Sequence, residues 1–437
     1  MSIKVDKFQL YNVMWNIVYY FLLHFFYLNI LFPVYSDRGF YCNFDVKDFG
    51  IATIALIPAL LFLAHCAANE TLSKQIASVI IYIGYFPSLV LACYIHADFL
   101  WMLIVYYLTF MVTVILLKPL LFKRVSFKKY QIERVVLFIF IVLIIYIWGK
   151  YSKFHIQTDI INVYEQRAEA ASYSLTRLQS YMYSWAKVIV PLLAIWFLHC
   201  GKKVASVLCA VVGLIAFSID GSKSLFFTIL LSYVAYYTIR IIKNYIRLIP
   251  VALSIGVVVS YILYKVFDSI TLASLLFRRV LFVPAKLHYD YYSFFSDNVK
   301  DYFRTSFSLF GKSPYNNIAK MIGEFNGSNS NCNNGLFSDA YMNLGWIGMI
   351  VMPILIVLVL KIMEGAAQNL PSGVSAVLVL KFSMVFISSS FFTSILTHGI
   401  FVTVLLLYFV NTNMEDRVSL SVINSQKKCL LKRESHE

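Results

Sequence analysis

Apolar residues in this chain do not mark one stripe of a surface helix; they run on for about twenty positions at a time between short polar connections. The runs begin near Leu10, Phe49, Ile76, Phe99, Val135, Trp185, Val204, Leu225, Val251, Tyr341, Val374 and Ile400. A helix of about 20 residues spans the ~30 Å hydrocarbon core of a bilayer, so each run reads as a membrane crossing. The two around Val204 to Phe217 and Leu225 to Thr238 are shorter than the rest. The first, Leu10 to Val34, is longer than the ~7–15 apolar residues of a cleavable signal and lacks a small-residue cleavage site, so it is expected to stay as a span. The pattern predicts an all-α polytopic membrane protein with about 12 transmembrane helices, forming a single integral membrane domain over residues 1–437.

The connections are unequal. Most are a few residues long, but 150–184 and 268–340 are large, and long connections are commonly functional. In the first, Ile161, Tyr164, Ala168, Ala171, Leu175, Leu178, Met182 and Trp185 recur at steps of three and four, with Glu165, Arg167, Glu169 and Arg177 on the other face. That spacing predicts an amphipathic helix lying along the membrane surface. The second opens with "RRVLFVPAKLHYDYY", Arg278 to Tyr292, and closes with "NGSNSNCNNGLFSDAYMNLGWIG", where turn residues run straight into a span. A channel or symmetrical transporter would distribute its loops more evenly, and no internal repeat is visible.

Charge sets the orientation. Lys4, Lys7, Lys74, the basic stretch from Lys118 to Arg134, Lys202 and Lys203, Arg240 to Arg247, Lys361, Arg417 and the tail "KKCLLKR" all fall on one parity of connections. By the positive-inside rule that side, with both termini, is cytoplasmic, and the two large loops face outward. At 60% hydrophobic and 14% charged, the chain has too few polar groups to cover a globular surface. Its net charge of +15 is accounted for by basic inner loops against anionic headgroups, and no nucleic-acid partner is implied. Of the cysteines, Cys42 and Cys332 face outward, either as a disulfide or as two lone thiols.

Three cations stand at the outer mouths of spans: Arg278, Arg279 and Lys223 in "DGSKS". Arginine presents a planar fork that fits a phosphate or pyrophosphate, and lysine a point charge. Snorkelling to lipid headgroups is the competing reading. "FGKSPY" is not a phosphate loop, because Ser306 stands where its first glycine belongs. A lipid-linked pyrophosphoryl oligosaccharide places its phosphates at headgroup depth, where fixed cations would stabilise the leaving group without nucleotide, metal or other cofactor. For the acceptor's general base, Asp339 on the rim of the tenth span is the candidate, with a helix cap as its competing role. His288 and Asp290 are alternatives. Tyr291, Tyr292, Asn334, Arg167 and Arg177 are candidate glycan contacts.

The plan of about twelve spans with two dominant outward loops, the "GSK" after the seventh span, "RRVLFVP", and "NNGLFSDAYMNLGWIG" entering the tenth span together resemble the O-antigen repeat-unit polymerases, the Wzy family. The resemblance implies a GT-C-like, metal-independent glycosyltransferase of the bacterial inner membrane. It would join undecaprenyl-pyrophosphate-linked repeat units on the periplasmic face, among membrane lipid and with a chain-length regulator as partner. Lys223 stands where relatives tend to carry arginine. The related ligases carry a histidine where this chain has Asn333 or Asn334. Two other readings stay open. A polyprenyl-monophosphate-dependent glycosyltransferase would use acidic residues of the first outward loop, here Asp37, Asp45 and Asp48. A flippase for the same lipid would use mid-span groups such as His24, His65 and Lys381.

Overall fold

The computed structural model describes residues 7–409 except 69, 96, 123–131, 157–163, 243–244, 308–309, 329 and 369. The described residues form helices joined by turns and irregular connections, with no strand among them. Ten helices are long and apolar enough to cross a membrane: Leu10–Arg38 (α1), Val46–Ala68 (α2), Leu72–Ile95 (α3), Asp98–Leu116 (α4), Ile132–Lys150 (α5), Arg177–His199 (α6), Lys203–Asp220 (α7), Tyr245–Phe267 (α9), Leu336–Ala366 (α10) and Phe391–Phe409 (α12). The remaining two predicted runs are helices, Lys223–Ile241 (α8) and Ser372–Ser388 (α11), whose apolar described stretches, Leu225–Ile239 and Ser372–Ser388, are shorter. Helices are what a lipid-facing chain can form, since every backbone N–H and C=O finds its partner within the segment.

The chain divides into two compact units. One comprises Met1–Lys118, Ile241–Lys361 and Val379–Ser394; the other comprises Pro119–Arg240, Ile362–Leu378 and Ile395–Glu437. At the centre of the first is α3, whose apolar window is 94% buried, against 28% for α9 in the same unit. Three stretches of the first unit are π-helical: Tyr27–Leu31 in α1, Ile81–Tyr85 in α3, and Ala273–Phe282. A π turn adds a residue per turn and re-aims the side chains beyond it, which is why such turns gather at functional sites. The first and third adjoin through aromatic rings: Tyr27 lies 5.7 Å from Phe282, and the neighbouring Phe26 lies 5.3 Å from Phe277 and stacks on Phe282 at 5.8 Å.

Two predicted loops contain structure of another kind. Residues 268–340 hold a long helix, the π stretch Ala273–Phe282 continuing as Val283–Asp297, and a shorter one, Ile318–Phe325. In the second unit, the single helix expected over 161–185 is two: Tyr164–Ala171, and α6 from Arg177. Residues 161–163 lie outside the described part. The break has a local cause. Thr176 caps α6 with a complete capping box, its hydroxyl accepting from the Gln179 N–H and the Gln179 side chain accepting from the Thr176 N–H, and this requires an extended Thr176 (φ −63°, ψ 156°).

Candidate functional site

In the first unit, the helix that starts at Ala273 carries the adjacent arginines to different environments. Consecutive residues on a helix diverge by roughly 100°, so they cannot form one fork. Arg278 is turned inward and only 9% exposed; Arg279 is exposed. The Arg278 guanidinium lies 4.5 Å from the centroid of the Tyr35 ring, and its Nε and Nη2 donate to Ser274 Oγ at 3.3 and 3.2 Å. Arg38 approaches the same ring at 5.4 Å. Among the described residues Arg278 makes no ion pair. Burial lowers its pKa from the ordinary arginine value; the Tyr35 phenol opposes that, and the like charges of Arg38 and Arg279 add to it. A cation that has lost water and has like charges as neighbours is a place where an anion is worth more than at an open surface.

The end of α1 brings Tyr35 and Arg38 there. Gly39, in the left-handed region at φ 77° that favours glycine, turns the chain. Tyr27 Oη donates to the Tyr41 carbonyl at 2.6 Å, and Asn43 N–H to the Tyr94 carbonyl at 3.2 Å, which pins the loop that follows. Tyr35 and Arg38 were not among the residues expected here; their legible signal was an arginine three residues after an aromatic at the end of the first apolar run. Of the acids in the first predicted outward loop, Asp37 lies 3.9 Å from Arg38, Asp45 Oδ1 accepts from the Lys47 N–H at 2.6 Å, and Asp48 is buried at the start of α2.

Further along the same helix, Lys286 Nζ pairs with both Asp290 oxygens at 2.7 and 2.8 Å and donates to Asn326 Oδ1 at 3.3 Å. Burial pushes the Asp290 pKa up, with Lys286 and Asn326 opposing. His288 is buried, its Nδ1 3.2 Å from Ser88 Oγ and its ring against Phe337 at 5.1 Å; burial lowers its pKa to about 3, so it is neutral at physiological pH. Tyr291 is buried, with Oη donating to the Cys332 carbonyl at 2.8 Å, and the half-buried Tyr292 lies 5.1 Å from Tyr341. These side chains fasten the helix to its neighbours. Cys42 and Cys332 are both free thiols.

Asn334 and Asp339 do come together. Asp339 is 2% exposed; its Oδ1 accepts from Asn334 Nδ2 at 3.1 Å and Asn343 Nδ2 at 3.0 Å, and its Oδ2 from the Phe391 N–H at 2.9 Å. The carboxylate therefore caps the start of α12 and ties the mouth of α10 to it. Gly335 makes the approach feasible, since a Cβ there would collide with the Ile387 carbonyl.

In the second unit, the Asp220–Lys223 turn is a separate gathering of charge. Gly221, at φ 60°, ends α7. Arg167 Nε and Nη2 donate to the Gly221 carbonyl at 3.3 and 3.1 Å, which makes this arginine a cap for α7. Lys187, inside α6, pairs with Asp220 Oδ2, donates to Ser222 Oγ at 3.2 Å and lies 4.4 Å from the Tyr183 centroid. A lone lysine in an apolar span is a signal the sequence reading could have used. Lys223 opens α8, with its side chain outside the described part; Arg177 is the exposed first residue of α6. Among the described residues no group of His, Cys, Asp and Glu has the arrangement of a metal site.

What these helices define is a multi-pass helical membrane protein. No family model matches the chain, and no curated protein or solved structure is detectably similar to it.

Proposed function

We propose that this chain is a glycosyltransferase that polymerises undecaprenyl-pyrophosphate-linked oligosaccharide repeat units into O-antigen or a related surface polysaccharide. It would act on the periplasmic face of the bacterial inner membrane, with both termini cytoplasmic. The observation that carries this reading is Arg278, a buried guanidinium without an ion-pair partner among the described residues, next to Arg38 and Arg279 beneath the first outward loop. In the reaction, an acceptor sugar hydroxyl attacks the anomeric carbon, the C–O bond to pyrophosphate breaks, and the pyrophosphate departs with the electron pair. Arg278 and Arg279 stabilise that charge. Asp339 takes the hydroxyl proton once the acceptor replaces Asn334 on Oδ1. A chain-length regulator is the partner this reading brings with it.

The test is reconstitution of the purified protein in lipid with a synthetic undecaprenyl-pyrophosphate repeat unit, without nucleotide sugar or divalent metal. The expected result is a ladder rising by whole repeat units, with Arg279→Ala and Arg278→Ala slowing it by about 10²–10³-fold at unchanged membrane abundance. Full activity in both variants sinks the pyrophosphate assignment. Transfer of unextended substrate across the bilayer makes the protein a flippase.

A further inference from the structure

A different surface, in the second unit, combines charge and oil in a way the proposed reaction does not use. The start of α5, the end of α6 and the start of α7 border a cavity of about 640 Å³. Its walls are apolar, with Phe138, Val204 and Leu208 among them; Phe138 is 66% and Val204 78% exposed, so the groove opens outward. Three cations also line it: Arg134, near the start of α5, and Lys202 and Lys203, at the start of α7. Lys202 Nζ lies 5.9 Å from the centroid of the Phe197 ring, another of the lining residues, and Glu133, the adjacent acid on α5, is buried.

We infer that this groove binds one anionic glycerophospholipid, its phosphate held by Arg134, Lys202 and Lys203 and an acyl chain lying along Phe138, Val204 and Leu208. The volume falls in the range of small-ligand sites, about 300–1,000 Å³. The placement fits an amphiphile: the cations stand at helix ends, where headgroups lie, and the apolar wall runs from them along the lipid-facing side. A soluble phosphate would use the cations and leave the wall bare, whereas a zwitterionic lipid would cover the wall and gain little from the cations. Basic pockets between transmembrane helices hold anionic headgroups on these grounds.

The experiment is native mass spectrometry of the full chain released from nanodiscs containing equal phosphatidylglycerol and phosphatidylcholine. The expected result is retained phosphatidylglycerol. Each cation contributes about a five-fold preference, so R134Q/K202Q/K203Q lowers it by about a hundred-fold. The charge-keeping variant R134K/K202R/K203R retains the preference, which separates lost binding from lost folding, and Leu208→Trp, filling the groove with its cations intact, reduces retention. Equal retention of the two lipids by the wild type, or an undiminished preference in the glutamine variant, overturns the site. Displacement by millimolar inorganic phosphate, by equimolar undecaprenyl phosphate, or by a co-purifying acidic peptide overturns the choice of ligand. None of these outcomes depends on whether the chain polymerises sugars.

Discussion

Asp339→Asn separates a carboxylate that holds the mouth of α10 from one that serves only as a base. The wild-type group accepts three hydrogen bonds in a buried setting, two on Oδ1 and one on Oδ2. An asparagine is nearly isosteric but replaces one oxygen with an NH2. In the cheaper orientation its oxygen keeps Asn334 and Asn343, and its NH2 faces the Phe391 N–H, donor against donor. One charge-assisted bond is lost and a buried N–H is left unpaired, at a cost of about 1.5–3 kcal/mol. Reversing the amide loses two bonds and costs more. Asp339→Ala leaves the Phe391 N–H and Asn334 Nδ2 unmet, while Asn343 Nδ2 keeps the Asp339 backbone carbonyl at 2.8 Å, for about 3 kcal/mol or more. At roughly 2–3 °C per kcal/mol, the asparagine variant should melt about 3–9 °C below wild type when followed by intrinsic fluorescence in detergent, and the alanine variant lower still. Amide exchange at Phe391 should accelerate in both. A Tm for Asp339→Asn within about 1 °C of wild type, with Phe391 still protected, would refute the capping role. Loss of polymerisation at that unchanged Tm would leave the base role standing alone.

Gly335→Ala should destabilise by about 1–3 kcal/mol, because its Cβ meets the Ile387 backbone, with the carbonyl carbon at 2.9 Å and His288 Nε2 at 3.3 Å, and none of these is a flexible side-chain end. Gly50→Ala, which meets nothing within 4 Å inside α2, is the control and should be neutral or stabilising in the same melt; equal Tm for the two variants would refute the close approach. His288 gives a pH dependence with a definite sign. Its folded pKa is lowered to about 3, so as the pH falls below about 6.5 the unfolded chain binds a proton that the folded one does not. Its contribution is therefore complete above that pH and is lost at up to about 1.4 kcal/mol per unit below it, about 2–3 kcal/mol by pH 4.5. The difference in Tm between pH 7.5 and 4.5 should shrink in His288→Gln, and an unchanged difference would mean that the ring is not buried and neutral.

The spans were legible because lipid imposes a simple demand. A crossing needs about 20 apolar residues in sequence, and all twelve predicted positions hold helices, ten of them of spanning length. Of the two runs that are short in the letters, Leu225 to Thr238 does give a shorter helix, whereas Val204 to Phe217 lies in a helix of spanning length and the other shorter helix is that of the Val374 run. Residues 161–185 misled because periodicity reports a shared face and is blind to a break, although the Thr176-x-x-Gln179 capping signature was there to be read. The helix over 273–297 reads as loop because it is amphipathic and punctuated by Pro284, which falls just after the change from π to α winding inside a helix that continues without a break.

Legibility of the candidate site was more limited. "RRVLFVP" flagged two cations of apparently equal standing, and the fold distinguishes them: the helical turn between neighbours sends Arg278 under Tyr35 and leaves Arg279 exposed. Likewise, "NNGLFSDAY" marked Asp339 without naming Phe391, the donor that occupies its second oxygen. Composition and run length determined that this is a multi-pass helical protein and where its helices lie, because transfer into lipid depends on residues adjacent in sequence. Which charges lose water, and against what, was decided only by the tertiary structure, because desolvation depends on neighbours that arrive from distant segments and on the π-helical register that turns Arg278 toward them.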